Sequence, residues 1–552
     1  MNKHSIRMFL LLSMFVVGMF LYNIWKQEQM KNQPQQEINK ETKEPIFSDV
    51  PELTKANIEK MARRANTKKK ELNSKGSEVI NVCTDVMRLK IAKTGGDIVF
   101  LELLKYPSSL QQKNQGVVLL DSTDSRNYRV QSGLLSSSGP DSRAKRAIYE
   151  AEQKEYIMTT EPLVVDLLYK TKGGVRIIKR FSFAKNSYVI KVEYIVQNEG
   201  SHTYKANFYG RLRRNAPDKK MESGIASRTY TGGAISTTNT KYKKISFSDM
   251  EKKSFKQSVD KGWVAMVEHY FTTVWLPEEG HYQFLTETFA DHTFSIGWIS
   301  SSIKVNPGKN MVVGASLYAG PEIIQVLEKL SPGLDLTVDY GVLWWICQPI
   351  FHLMCWLHSL FGNWGIAIIL VTVLIKLAFY KLSASSYRSM GNMKKLQPKM
   401  EQLKERYGDD RQKFGQAVME LYKKEKVNPL GGCLPVLVQI PVFIALYYVL
   451  LESVELRQAP FALWIQDLSA KDPFYVLPII MGGSMFLQQK MSPAPPDPVQ
   501  AKVMLAMPIV FTVMFLQFPS GLVLYWVVNN VLSILQQWFI TRRINEVTIA
   551  KK

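Results

Sequence analysis

The sequence is short of the residues from which metal centres and disulfide frameworks are built. Cysteine occurs only at Cys83, Cys347, Cys355 and Cys433, in separate segments and with no CxxC pair. That argues against both a disulfide framework and a zinc site. The seven histidines are scattered, with no HExxH, and neither a Walker A motif nor GxSxG occurs. No catalytic set, metal or cofactor is therefore expected, and the chain reads as a non-enzyme. Acidic residues are outnumbered, 48 Asp and Glu against 70 Lys and Arg, for a net charge of +22. No basic stripe interleaved with single aromatics accompanies the excess, which argues against nucleic acid as a substrate. Much of it lies beside apolar runs, as orientation in a membrane requires.

Those apolar runs sit at the start and in the last third. Residues 1–25 read as an uncleaved signal-anchor span: Lys3 and Arg7 precede the run Met8 to Trp25, and no small-x-small cleavage site follows. Residues 26–78 are a polar linker that cannot bury a core. Residues 79–330 read as strands. Ile190, Val192, Tyr194 and Val196 alternate with Lys191, Glu193 and Ile195, and turn signals recur at Gly95-Gly96, Gly173-Gly174, Gly232-Gly233 and Pro307-Gly308. An antiparallel β-sandwich is expected, closed by a short helix within Pro321 to Leu330. Residues 342–360 read as an amphipathic helix in the membrane interface, interrupted by Gln348, Pro349, His352 and His358.

Five further spans are expected: a second over 362–381, then four within 430–541, at Cys433 to Leu451, Phe474 to Gln489, Val503 to Phe518 and Leu522 to Ile540. Two are only 16 residues long, and short helices thin the local bilayer. Loop charge orients them. Residues 381–427 hold 12 Lys and Arg against 6 Asp and Glu, residues 452–472 hold 2 against 4, and residues 541–552 hold 4 against 1. Basic loops alternate with a non-basic one. The expected topology is six spans, with both termini cytoplasmic, residues 26–340 outside the inner membrane, and a basic tail at 542–552.

Within the spans the polar residues are the informative ones. Lys376 lies inside the second span, with Thr372 and Tyr380 four residues either side on one helical face. A charge at mid-span costs at most about 2.5–3.5 kcal/mol. Lys376 is about 7 Å from the span's cytoplasmic end, so snorkelling is a second reading. Gln439, between Pro435 and Pro441, is too deep to snorkel; an interhelical hydrogen bond is its plain structural reading. Asn529, Asn530, Ser533 and Gln536 in the last span, with Thr512 and Gln517 in the fifth, add polar groups. Together they point to a hydrated intramembrane cavity. No serine is placed for a Ser–Lys dyad with Lys376. Residues 382–428 form a basic helical hairpin about Gly408-Asp409-Asp410. Its apolar stripe, Met393, Leu396, Met400 and Leu403, is expected to be exposed for client capture; a solvated helix pair is the alternative. Met485, Met491, Met504 and Met507 add adaptable thioethers near the cytoplasmic ends.

Three long stretches carry a resemblance: ELYKKEKVNPLGGCLPVLVQIPVFIALYYVL at Glu420 to Leu450, ESVELRQAPFALWIQDLSAKDPFYVLPIIMG at Glu452 to Gly482, and FPSGLVLYWVVNN at Phe518 to Asn530. They, and TDVMRLKIAKTGGDI at Thr84 to Ile98, resemble the YidC/Oxa/Alb insertase family over nearly the whole chain. The resemblance implies a membrane protein insertase and chaperone, with an inward-open polar groove closed toward the periplasm and a periplasmic β-supersandwich. It implies nascent membrane proteins as clients, the Sec translocon with its accessory subunits as partner, and the lipid bilayer as setting; the basic hairpin adds the ribosome as an alternative to the client at the point of capture. The family's groove charge falls on Lys376, usually Arg in the bacterial pattern, and other groove positions fall on Thr372 and Gln439. Tyr380, Trp526 and Asn529 complete the candidate groove. Two rival readings share these features. A secondary transporter would use the polar intramembrane residues, although no paired repeats occur across 362–540. A carbohydrate-binding envelope protein would use the β-domain, although five further spans exceed what anchoring needs.

Overall fold

The computed structural model describes residues 78–549, apart from 124–125, 137–138, 143–145, 218–228, 408–409, 426, 428–433 and 493–497. The expected signal anchor, almost all of the linker, Cys433 and the end of the basic tail lie outside the described residues. The chain divides into two compact units, with the change at Asp339 and Tyr340.

The first is a two-sheet sandwich of ten and nine strands. The larger sheet centres on Tyr204–Asn215, between Thr293–Val305 and Asn127–Leu135. The smaller centres on Val189–Asn198, between Val175–Phe183 and Asn310–Pro321. The alternation in the sequence is what builds it: Ile190, Val192, Tyr194 and Val196 are fully buried, while the residues between them face outward. Pairing is antiparallel, as expected, except that Val79–Cys83 runs parallel to Glu155–Ile157. Gly95, Gly96, Gly174 and Gly308 have positive φ and turn the chain. Gly232 and Gly233 do not. They open the strand Gly232–Thr237, where a Cβ on Gly233 would lie 2.4 Å from Met250 Cε. Two short helices complete the unit, α1 (Phe247–Lys252) and α2 (Ile324–Leu330).

The sandwich interior holds a fully buried lysine. In Val175–Phe183 the inward positions are Val175, Ile177, Lys179, Phe181 and Phe183. Lys179 Nζ crosses to the other sheet and donates to the carbonyls of Gly95 (3.1 Å), Gly96 (2.8 Å) and Ser132 (3.2 Å). Its stem occupies the space a Cβ on Gly96 would need. Arg146 beside it pairs with Asp97 (2.6 Å) and Asp141 (2.8 Å). Burial pushes the Lys179 amine down to about 7, against the pull of Asp97 in the other direction. Burial likewise raises the Asp141 carboxyl.

The second unit is helical: α3 (Trp344–Phe361), α4 (Trp364–Ala378), α5 (Tyr380–Lys395), α6 (Gln397–Tyr407), α7 (Arg411–Lys424), α8 (Leu434–Glu452), α9 (Val476–Met491), α10 (Pro498–Phe515) and α11 (Ser520–Ile549). α3 buries a stripe of Cys347, Phe351, Met354 and Leu357 and exposes Trp344, Trp345, Trp356, Leu360 and Phe361. A helix therefore stands at 344–361, where an amphipathic interfacial helix is expected over 342–360. Within α11, Ser520–Arg542 is long and apolar enough to cross a membrane, whereas Val438–Glu452 and Lys502–Phe515 are shorter apolar helices. α4 and α5 join at Phe379 with a bend of 68°. α9 starts at Val476 rather than Phe474: Tyr475 before it is left-handed (φ 58°), and the Asp472 carboxylate accepts from Phe474 N and Leu477 N.

Candidate polar groove

α4 is fixed at its start. The Asn363 side chain accepts from Ile366 N and donates to Phe461 O. The Phe461 ring rests on Gly365, where a Cβ would lie 2.0 Å from the ring. Twelve residues on, about 18 Å along the axis, α4 presents Lys376 toward α11.

Lys376 Nζ donates to Ser533 Oγ at 2.7 Å, and Ser533 Oγ donates to Asn529 O at 2.6 Å. Gln439 on α8 donates to Asn529 Oδ1 and to Tyr525 OH. Tyr525, Asn529 and Ser533 recur every four residues, so α11 gives one polar face to both α4 and α8. Asn530, one position round, donates to Ser484 Oγ on α9 at 3.0 Å. Of the expected groove residues, Lys376, Gln439 and Asn529 therefore come together. Ser533 was legible as a polar residue, but its tie to Lys376 was not. The contact is no catalytic dyad, because the serine proton goes to a backbone carbonyl and the lysine acts as donor.

Two spaces adjoin Lys376. One is a slot of about 10 Å³, room for about one water, between Ile375, Lys376, Phe379, Leu382, Ser383, Val438 and Gln439. The other is a cavity of about 300 Å³ lined by Val373, Lys376, Leu377, Tyr380, Leu532, Gln536 and Phe539. Tyr380 reaches this cavity from α5, not from a continuation of α4, since the bend at Phe379 breaks the expected common face. Its carbonyl accepts from Gln536 at 3.3 Å. Thr372 lines neither space. It is buried and its hydroxyl donates to Ile368 O in its own helix. Trp526 sits apart, edge-on to Phe443 at 4.6 Å and close to Phe515, with its buried indole N–H unpartnered.

Residues 453–475 bind the opposite end of the bundle together. Ser520 N donates to Ala470 O, Gly521 N to Leu468 O, and Ser520 Oγ to Asp467 O. Trp464 Nε1 donates to Asp472. These bonds, with Asn363 to Phe461 O, bind the segment to the starts of α4, α9 and α11.

The hairpin stripe is not exposed as expected. Leu396 and Met400 are buried against Val418 and Tyr422, and Met393 and Leu403 pack on the same cluster. The stripe is spent on pairing the end of α5 and α6 with α7, because two facing apolar stripes bury each other before they bury anything else. Among the described residues no group of side chains is arranged to hold a metal.

Comparison with known proteins agrees across both units. The YidC periplasmic domain model matches residues 79–353, and the 60Kd inner membrane protein model matches residues 356–547. A membrane protein insertase YidC of Pseudomonas putida is 53% identical over 85% of this chain and 85% of its own. That of Legionella pneumophila is 46% identical over 99% of this chain and 98% of its own. The solved structure of an active YidC insertase with its first transmembrane domain resolved covers 84% of this chain and 92% of its own, at 19% identity and a TM-score of 0.40.

Proposed function

Because the chain belongs to the YidC family of membrane protein insertases, we propose that the polar face joining Lys376, Gln439, Asn529 and Ser533 is where it receives its clients. It is an inner-membrane insertase with a periplasmic β-domain, and it acts on nascent membrane proteins without enzymatic chemistry. The transporter and carbohydrate-binding readings fall with that membership.

The observation that carries the proposal is the lysine. Lys376 is a part-buried cation whose hydrogen bond goes to a neutral hydroxyl, at the end of the bundle away from the tied segment 453–475. A client's exterior segment must bring polar groups into hydrocarbon, at several kcal/mol for each unsatisfied one. Donors at Lys376 and Gln439 shorten that passage, and the ammonium favours segments carrying acidic residues. The client's apolar segment gains by leaving water for lipid, so no nucleotide is needed. With basic loops inside, the lysine end faces the cytoplasm.

The test is a photo-reactive residue placed at Val438 or Leu532 and presented to ribosome-bound nascent chains of a membrane protein. Crosslinks at both positions, absent when the probe sits on the outer surface at Ile509, are expected. No crosslink at either position overturns the reading.

For the hairpin we propose capture by opening: the end of α5 and α6 part from α7 and offer Met393, Leu396, Met400 and Leu403 to a client or ribosome. Deleting about residues 395–420 should stop insertion with the spans intact; normal insertion sinks this role. Cooperation with the Sec translocon rests on the family resemblance, and co-purification from solubilised membranes tests it.

A further inference from the structure

The cavity beside Lys376 faces outward. Leu377, Tyr380 and Phe539, which line it, are exposed on the surface of the helical unit, and in a bilayer that surface meets lipid. Its volume of about 300 Å³ lies at the lower end of small-molecule sites. Its character is divided. Lys376 and Gln536 give polar groups, while Leu377, Leu532 and Phe539 give an apolar wall. Lys376 is two residues from the end of α4, about 3 Å of rise, where the chain bends by 68° into the basic segment 381–427. A basic segment next to a membrane helix draws anionic lipid to the adjoining leaflet.

An ammonium has three donors. One goes to Ser533 Oγ, and among the described residues no carboxylate pairs with Lys376. A cation withdrawn from water without a counter-ion is costly, and the client supplies an anion only while it is bound. We propose that between clients the cavity holds the phosphate of an anionic phospholipid from the adjoining leaflet, paired with Lys376, its acyl chains lying along Leu377 and Phe539. The proposal rests on the client reading of the same lysine and adds what neutralises it at rest. A client's acidic segment displaces the lipid, so the charge is never left bare.

The full chain is reconstituted in phosphatidylcholine vesicles with or without phosphatidylglycerol and extracted in mild detergent. Lipid retained per chain is counted by native mass spectrometry. Phosphatidylglycerol should be retained selectively. Lys376→Gln should lower its retention by about tenfold, the factor for one lost charge-assisted hydrogen bond. Leu532→Trp, which fills the cavity and keeps the charge, should lower it as much, so that a folding fault in one variant cannot imitate the result. Unchanged retention in both variants overturns the proposal. So does displacement of the lipid by inorganic phosphate, which would make a soluble anion the occupant. If Lys376→Gln stops insertion but keeps the lipid, the lipid site fails and the client reading stands; if it loses the lipid but inserts normally, the reverse holds.

Discussion

Two buried lysines, one in each unit, show opposite ways of placing a cation out of water. Lys179 in the sandwich spends all three donors on carbonyls at 2.8–3.2 Å, and Asp97, Asp141 and Arg146 surround it with a near-balanced charge network. Lys376 has one hydroxyl, no carboxylate among the described residues, and an open cavity at its side. Lys179 shares its inward face with Ile177 and Phe181, and Lys376 stands between Ile375 and Leu377. A buried charge whose valences are filled locks a structure. One whose valences are left over is waiting for something outside the chain. Burial alone does not separate the two cases; the list of partners does.

Charge reversal should separate them most sharply. Lys376→Glu is expected to lower insertion of a client with an acidic exterior segment by tenfold or more, on the order of 1.4 kcal/mol or greater, while Lys376→Arg keeps it. A charge-neutral variant of the same client should be far less sensitive. Reconstituted insertion at matched protein levels measures this, and equal sensitivity of the two clients to Lys376→Glu would reduce the lysine to a structural feature like Lys179.

The converse change in the sandwich should act on stability alone. Lys179→Met leaves Gly96 O without its donor and the Asp97, Asp141 and Arg146 cluster without one positive charge. A loss of about 3 kcal/mol from the β-domain is expected, read as a fall in its melting temperature. Insertion per folded molecule should not change; a drop would mean that the sandwich charge also serves clients.

Titration offers a finer contrast. The folded Lys179 amine lies at about 7, below its ordinary 10.5. Between these values the unfolded chain binds more protons than the folded one. Its contribution to stability is therefore full above about 10.5, and is lost as pH falls through about 7. Denaturant midpoints of the β-domain should rise with pH across that window, and the rise should shrink in Lys179→Met. The same slope in the variant would assign it to other groups. The smallest effect is expected at Thr372. Its hydroxyl already serves Ile368 O, so Thr372→Val should alter insertion by no more than about twofold, within about 0.5 kcal/mol. A larger loss would return Thr372 to the groove.

How much of this the sequence made legible follows from the range of the forces involved. The sandwich was readable because strand alternation is local: Ile190 to Val196 announce their faces without reference to any other strand. Lys376, Gln439 and Asn529 could be picked out because polar side chains are expensive in an apolar run. Their partners could not, since Ser533 meets Lys376 across 157 positions and nothing at residue 376 specifies it. The hairpin misled for a related reason. Periodicity shows that a stripe exists, and only the facing helix decides whether Leu396 and Met400 look outward. The break at Phe379 has no proline or glycine to mark it, so Thr372, Lys376 and Tyr380 read as one face when they are not.

The bonds that tie residues 453–475 to Ser520, Gly521 and Asn363 bear on bioenergetics as well as on shape. A device that drew polar segments through a central channel would need a gate to keep protons and ions from following. Here backbone bonds hold residues 453–475 across one end, and the space at Lys376 opens to the side of the bundle. If clients are received at Lys376 as proposed, polar segments are handled from one face while the bilayer remains an insulator, and the ion gradient across it should hold during every round of insertion.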